Sequence, residues 1–300
     1  MNYKIVEKDK GIVIEGIKDF VPEHILDCGQ SFRWVLEDDK SYTGVAMGRV
    51  INVNMEGNNV IFNNTDLDDF KNIWYDYFDL GRDYGKIKEK LSKDDVLKEA
   101  IKYGEGIRIL NQDEWEILIS FIISANNRIP MIKRAVNNIS QRWGKHIFYN
   151  GKTYYSFPKP DVLANATADE IKECGTGFRA KYISETAKMV SKREVDLYGL
   201  KDIGYENARQ ELLKFPGVGP KVSDCILLFS MGYYKAFPVD VWVKRVMRHF
   251  YVAEDVSLKK IEEFAQDRFK DLSGFAQEYL FYYARNSMGK DELEQMSTNK

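Results

Sequence analysis

The sequence predicts an α+β fold: an N-terminal antiparallel β-sheet domain with short helices over residues 1–108, an all-α domain over 109–289, and a polar tail over 290–300. Three observations predict it. Segments before residue 64 alternate apolar and polar residues or run β-branched, the pattern of half-buried strands. Beyond Arg108 the strand pattern vanishes and apolar residues recur at helical spacing. The length, 300 residues, allows two domains of ordinary size or one large domain, because single cores stop growing near ~250–300 residues.

The strands are expected at 3–6, 11–16, 41–46, 50–55 and 59–62. Asp38-Asp39-Lys40 and Glu56-Gly57-Asn58 supply turns between them. Gln30, Phe32 and Trp34 also alternate like a strand. Short helices follow near 67–78 and 84–93. Asp113 then precedes Glu114-Trp115-Glu116, an N-cap with acids in the first turn. Trp115, Leu118, Ile119 and Ile122 share one face, so Trp115 reads as core. Pro130, just past Asn126-Asn127, marks a break or restart. Helices continue at 132–143, 167–174, 180–192, 205–215, 221–231, 240–250, 258–271 and 274–287.

Composition excludes several classes. With 44% hydrophobic and 30% charged residues the chain builds real cores. Its longest mostly apolar run, 117–125, falls far short of the ~20 residues that span a bilayer. The start, Met1-Asn2-Tyr3-Lys4, lacks the apolar stretch of a secretory signal. Cys28, Cys174 and Cys225 are an odd, scattered set, which argues against a disulfide scaffold and fits a reducing compartment. Neither CxxC nor HExxH spacing occurs, so no zinc or iron–sulfur centre is expected. The net charge of −2 does not announce a nucleic-acid partner, yet residues 177–250 carry 13 Lys and Arg against 8 Asp and Glu.

The most informative segment is Phe215-Pro216-Gly217-Val218-Gly219-Pro220-Lys221. One helix ends, a turn follows, and a second helix starts at Pro220, where proline suits the first position. Glycines at 217 and 219 let backbone N–H groups approach a partner closely. The orphan N–H groups and positive dipole end of the new helix form an anion site that fits a phosphate. A plain glycine-capped turn uses the same residues. Lys221, in the first turn, is electrostatically misplaced: the positive helix end destabilises an ammonium, which is how an amine becomes a nucleophile. A solvated surface lysine is the alternative. Asp240, nineteen positions on, opens the next helix after a Gly- and Pro-containing loop. It reads as an N-cap, or as a carboxylate that stabilises developing positive charge. The three features at this spacing are informative together.

On these residues the sequence resembles the helix-hairpin-helix base-excision DNA glycosylases, and within them the 8-oxoguanine DNA glycosylase family. Cys28-Gly29-Gln30-Ser31-Phe32-Arg33-Trp34, the paired Asn126-Asn127, Gly177-Phe178-Arg179-Ala180-Lys181-Tyr182 and Phe275-Ala276-Gln277-Glu278-Tyr279-Leu280-Phe281 match that family's segments. The resemblance covers nearly the whole chain. It implies a helix-hairpin-helix glycosylase domain with its cleft between helical subdomains, acting on double-stranded DNA that contains 8-oxoguanine. It implies that Lys221 attacks C1′, displaces the base and holds the sugar as a Schiff base, with AP-lyase β-elimination, and that Asp240 assists. Gly29 would read the lesion's N7–H through its carbonyl, and Gln277 would bond the Watson–Crick edge. Phe281 and Cys225 would stack on either side of the flipped base. Phe178 would wedge the vacated stack, and Asn126 and Arg179 would contact the orphaned cytosine. Gly217, Val218 and Gly219 would meet phosphate, with Trp242 nearby.

No organic cofactor is implied, although carbonyls of Leu213, Phe215 and Val218 are candidates for a monovalent or divalent cation. A bacterial-type monomer in the cytoplasm, associated with the nucleoid, is expected, with no membrane contact. By base rate Phe178 and Phe281 are more often core residues, Asn126 also fits a helix C-cap, and Cys225 a small core filler. Two departures matter. Met131 stands where eukaryotic relatives carry a second arginine, and Trp242 where they carry histidine, so relaxed opposite-base specificity is expected. A glycosylase for alkylated bases would lack Lys221. A non-catalytic hairpin module would need neither Lys221 nor Asp240.

Overall fold

The computed structural model describes residues 3–9 and 11–287, so the polar tail expected at 290–300 lies outside the described residues. Six antiparallel strands form one sheet: β1 (Lys4–Lys8), β2 (Gly11–Glu15), β3 (Trp34–Leu36), β4 (Tyr42–Ala46), β5 (Arg49–Glu56) and β6 (Asn59–Asn63). Their order is β1-β2-β6-β5-β4-β3. One face packs on the helical segment 67–77 through Phe62, Phe70, Trp74 and Phe78, whose rings meet edge-on or tilted. The edge-on geometry suits ring quadrupoles.

Asp66, Asp83 and Asp94 each accept backbone N–H groups at helix starts. Asp79 is buried instead, bonded by Arg82 and by the Tyr84 hydroxyl at 2.9 Å.

The second part is helical, as expected, with one correction. Strands do not vanish after Arg108: β7 (His146–Tyr149) and β8 (Lys152–Tyr155) form a two-stranded ribbon. Asn150 and Gly151 both have positive φ, the requirement of the tight turn that Asn-Gly favours. The packing also crosses residue 108. Helices Tyr84–Leu91 and Asp95–Tyr103 bury Tyr84, Ile87, Leu97 and Ile101 in the helical core rather than the sheet core.

A buried strap, 107–112, joins the two cores. Ile109 N–H donates to the Tyr84 hydroxyl at 2.9 Å, Asn111 N–H to the Tyr77 carbonyl at 2.9 Å, and Gln112 N–H to the Phe229 carbonyl at 3.0 Å. The Arg108 guanidinium donates to the carbonyls of Asp19 and Asp79 at 2.7 Å each. Buried backbone polar groups must be paired, and here the pairing stitches the domains.

Within the sheet, Trp34 of β3 lies directly across from Gly44 of β4, and its indole covers that glycine. A methyl at residue 44 would fall inside van der Waals contact of the ring. Gly44→Ala is therefore expected to destabilise the protein by about 1–3 kcal/mol, the cost of overpacking a filled core. Chemical denaturation followed by tryptophan fluorescence measures it, and an unchanged midpoint would refute the packing account.

Candidate active site

The hairpin is built as its residues demand. Helix Tyr205–Leu212 ends, and helix Pro220–Ser230 begins after Gly219 with no side chain capping its start. Gly217 has φ +82, a conformation that favours glycine, and a Cβ there would lie 2.7 Å from the Tyr182 ring. Gly219 faces open space. Val218 is buried, so only its backbone is available to a partner. The Phe215 carbonyl accepts the Val218 N–H at 3.1 Å, which leaves one lone pair for a cation.

Lys221, half-buried in the first turn, opens onto a cavity of about 860 Å³. Its Nζ lies 5.2 Å from the centroid of the Phe121 ring. Phe121 in turn stacks on Phe229 at 5.6 Å and meets Phe32 edge-on. Asp240 lines the same cavity. Its Oδ1 caps helix Val241–Phe250 by accepting the Val243 N–H at 2.8 Å. The cap reading holds, and the carboxylate also faces the cavity that Lys221 lines. Burial raises the Asp240 carboxyl above its ordinary value, while the cap and the Lys221 charge pull it back.

Cys225, one turn after Lys221, is buried on the same wall. Burial pushes its thiol up to about 12, although Lys221 favours the thiolate. At neutral pH it is a protonated thiol and a poor nucleophile. The amine is the better candidate.

Another part of the cavity lining comes from Gly29, Gln277 and Phe281. Gly29, with φ +95, leans against Phe281: a Cβ on it would lie 3.2 Å from that ring. Phe281 is half-buried, with the Arg285 guanidinium 5.6 Å over it. Gln277 is buried at the cavity wall, and its Oε1 has no hydrogen-bond partner among the described residues. A buried acceptor left unpaired costs ~1–3 kcal/mol, which a donor on a bound base would recover.

The segment 28–33 is not a strand. Only Trp34 begins β3; Gln30 and Phe32 lie in a loop and are both buried.

Asn126 and Arg179 lie at one rim. Asn126 is exposed with φ +51, past the end of helix Glu114–Ser124. Asn127, not Asn126, caps that helix, donating from Nδ2 to the Ile123 carbonyl at 3.1 Å. Arg179 is buried and turned inward: it donates to the Ala125 carbonyl from Nε at 2.9 Å and to the Asn126 carbonyl from Nη2 at 3.0 Å. A cation is well placed at a helix C-terminus. Phe178 is 63% exposed, which excludes the core reading, with the Arg179 guanidinium 4.4 Å from its ring. Trp242 lines the cavity beside Lys244 and Arg245. Trp115 is core, its Nε1 donating to the Pro158 carbonyl at 2.9 Å.

Sequence reasoning passed over three contributors: Phe121 beneath the amine, the Lys244-Arg245 pair, and Glu278. The last had a signal, an acid in an otherwise apolar stretch of helix Ser273–Ser287. Burial pushes its carboxyl up to about 7, against hydrogen bonding from Cys28 and the charge of Arg285. Among the described residues no cluster of His, Cys, Asp or Glu is placed to hold a metal ion. No helix among them is long and apolar enough to cross a membrane.

Comparison with known proteins adds to this geometry. Residues 12–118 match the family model described as 8-oxoguanine DNA glycosylase, N-terminal domain. Residues 119–271 match the HhH-GPD superfamily base excision DNA repair protein. A crystal structure of Clostridium acetobutylicum 8-oxoguanine glycosylase/lyase, in complex with dsDNA containing cytosine opposite to 8-oxoG, is 50% identical and superimposes with a TM-score of 0.94. The match covers 96% of this chain and all of that one. A probable N-glycosylase/DNA lyase of Methanothermobacter thermautotrophicus is 34% identical over 68% of this chain and 71% of its own length. The N-glycosylase/DNA lyase of Saccharomyces cerevisiae is 33% identical over 76% and 67%.

Two outcomes follow from the geometry. Gly217→Ala is expected to cost about 1–3 kcal/mol, from the left-handed φ and the Tyr182 ring, while Gly219→Ala costs only a few tenths. Thermal unfolding of the two variants compares them directly, and equal losses would contradict the hairpin geometry. Glu278 gives a pH signature. Its folded carboxyl holds its proton to about pH 7, whereas unfolding returns it to the ordinary value near 4.5. Between those values the native state binds more protons, so stability falls as pH rises and the full penalty applies above pH 7. Glu278→Gln is expected to remove it, stabilising the protein by on the order of 2–3 kcal/mol at pH 8 and little at pH 4. A gain independent of pH would refute the assignment.

Proposed function

The chain belongs to the 8-oxoguanine DNA glycosylase branch of the HhH-GPD base excision repair superfamily, and from that premise we infer that it removes 8-oxoguanine from duplex DNA and nicks the strand behind it. The observation that carries the mechanism is the seat of Lys221: an amine in the first turn of a helix, over an aromatic ring, in one cavity with a half-buried aspartate.

A duplex buries the reacting bond, so the damaged nucleotide must flip into the cavity. There the Lys221 amine attacks C1′ and the C1′–N9 bond breaks, with the base leaving as the electron-pair acceptor. Loss of the amine proton and opening of the sugar ring leave a Schiff base. Removal of a C2′ proton then expels the 3′ phosphate, which is the lyase step. Asp240, with one oxygen fixed by its cap, stabilises the cationic sugar and keeps a second oxygen for proton transfer.

Recognition falls to the lining at Gly29, Gln277 and Phe281. 8-Oxoguanine carries N7–H where guanine has a lone pair, so the Gly29 carbonyl accepts from one and repels the other. Gln277 takes the Watson–Crick edge, with Phe281 and the neutral thiol of Cys225 on the two faces. Phe178 fills the vacated stack. Asn126 faces the orphaned base, and Arg179 acts through the Asn126 turn that it clamps from behind. Met131, exposed in helix Ile129–Trp143, offers no donor to cytosine, which supports relaxed opposite-base specificity. Gly217 and Gly219 offer backbone N–H groups to phosphate, with the Val218 N–H between them held by the Phe215 carbonyl, and Trp242 stacks at the cavity lining.

Carbonyls of Leu213, Phe215 and Val218 would hold a cation; such oxygens are hard donors, and the ion would add positive charge toward the phosphate. The enzyme would act as a monomer where DNA lies, in the nucleoid of a bacterial-type cell.

Borohydride reduction tests the reading. The protein is expected to be trapped covalently on a duplex containing 8-oxoguanine, and Lys221→Gln to abolish trapping while retaining DNA binding that weakens with salt. Trapping that persists in Lys221→Gln would assign the nucleophile elsewhere. Duplexes with each normal base opposite the lesion rank the partner preference, and a strict cytosine requirement would overturn the role given to Met131.

A further inference from the structure

We propose that Gln30 and Gln112 are positioning residues that tie the base-reading loop at Gly29 to the helix that carries Lys221. This rests on Gly29 being the lesion reader.

The side chain of Gln30 is fully buried and fully used. Its Nε2 donates to the carbonyls of Arg108 at 2.7 Å and Ile25 at 3.0 Å, and its Oε1 accepts the Leu110 N–H at 2.8 Å. The Gly29 carbonyl belongs to the same planar peptide unit as the Gln30 nitrogen, so anchoring residue 30 limits how that carbonyl can turn. The next link is Gln112, whose Nε2 donates to the Gln30 carbonyl at 2.8 Å and reaches the Phe229 carbonyl at 3.5 Å. The Gln112 backbone N–H bonds the same Phe229 carbonyl at 3.0 Å. Phe229 lies in the last turns of helix Pro220–Ser230, and its ring stacks on Phe121, over which the Lys221 amine sits.

Two amide side chains therefore hold residue 30 by separate ties: Gln112 joins its carbonyl to the end of the nucleophile's helix, and the Gln30 side chain fixes it to the strap at Arg108 and Leu110. Neither touches the cavity: Gly29, Phe229 and Lys221 line it, whereas Gln30 and Gln112 lie behind. Their chemistry suits a spacer of fixed length. An amide donates and accepts at once, carries no charge that needs a counterion, and in a dry interior each lost bond leaves a partner unsatisfied. The distance between where the base is read and where C1′ is attacked is thereby fixed, and misplacement by about 1 Å is enough to slow chemistry by about 10²-fold.

Single-turnover kinetics test this with the full-length protein. Gln112→Met keeps the backbone bond to Phe229 and removes only the side-chain link. It is expected to slow release of 8-oxoguanine roughly tenfold or more, while strand nicking at a preformed abasic site, where no base is read, changes less than about twofold. Gln30→Met is expected to do the same and to narrow the preference for 8-oxoguanine over guanine. The double variant is expected to be slower than either single variant, because two separate ties on residue 30 are lost. Equal slowing on both substrates, or unchanged base release, would overturn the proposal. Should Gln30→Met fail to fold, the Gln112→Met comparison decides by itself. Gly29→Ala separates the two ideas. If it leaves lesion preference unaltered, the reader assignment falls and the coupling with it. If it alters preference while Gln112→Met leaves base release intact, the coupling alone falls.

Discussion

The cavity depends on one constraint: an extended strap buried between two cores must satisfy its own backbone. Residues 107–112 run where neither water nor a sheet partner can take their polar groups. Their N–H groups go instead to Tyr84, Gln30, Tyr77 and Phe229, one from each of four different elements. Arg108 adds bonds to Asp19 and Asp79 and covers the Tyr84 ring at 4.5 Å. Because an unpaired buried donor costs on the order of 1–3 kcal/mol, these elements are held to the strap and hence to one another. The loop at Gly29 and the end of the Lys221 helix are both hung from it. The walls of the site come from segments some two hundred residues apart, and the strap sets their separation.

Electrostatics then sorts the groups in that cavity. Cys225 and Lys221 share a helix face, yet burial keeps the thiol protonated, so one turn of helix presents a single basic nucleophile. Asp240 pays out one oxygen to its helix and is raised by burial, which the Lys221 charge offsets. Glu278 is raised by the same cause and stays largely neutral below pH 7. The site thus avoids two full negative charges facing each other. A carboxylate close to a developing cationic sugar is useful; a second one deep in the base pocket would repel the first and attract solvent cations.

Much of this was readable from local chemistry. The hairpin announced itself because glycine, proline and the first-turn lysine each act within a few residues of where they stand. The six-stranded sheet was readable apart from β3, since its other five strands either alternate or run β-branched. What escaped was either short or distant. The ribbon at 146–155 has four-residue strands, too brief for periodicity, although Asn150-Gly151 carried the turn. Gln30 was misread because alternation with Phe32 and Trp34 mimics a strand; its partners at Leu110 and Gln112 lie eighty residues away, and no local rule points to them. Arg179 shows the same limit. Its place in the sequence suggests a base contact, while its donors go to the carbonyls of Ala125 and Asn126.

The division of labour between the walls has a consequence for specificity. Reading and attack lie on different elements, so neither can be tuned by changing the other's residues. On the proposed assignment, lesion discrimination at Gly29 would be a matter of one carbonyl against one hydrogen, and would need no charge. Reactivity at Lys221 would be a matter of seating, indifferent to which base departs. Selective excision therefore needs a third element that keeps the two in register, since a base read correctly but offered at the wrong distance reacts no faster than guanine. The buried amides behind the cavity meet that requirement better than a charged pair would. An ion pair there would need further partners to offset desolvation, whereas two neutral amides satisfy carbonyls and N–H groups that the strap already buries.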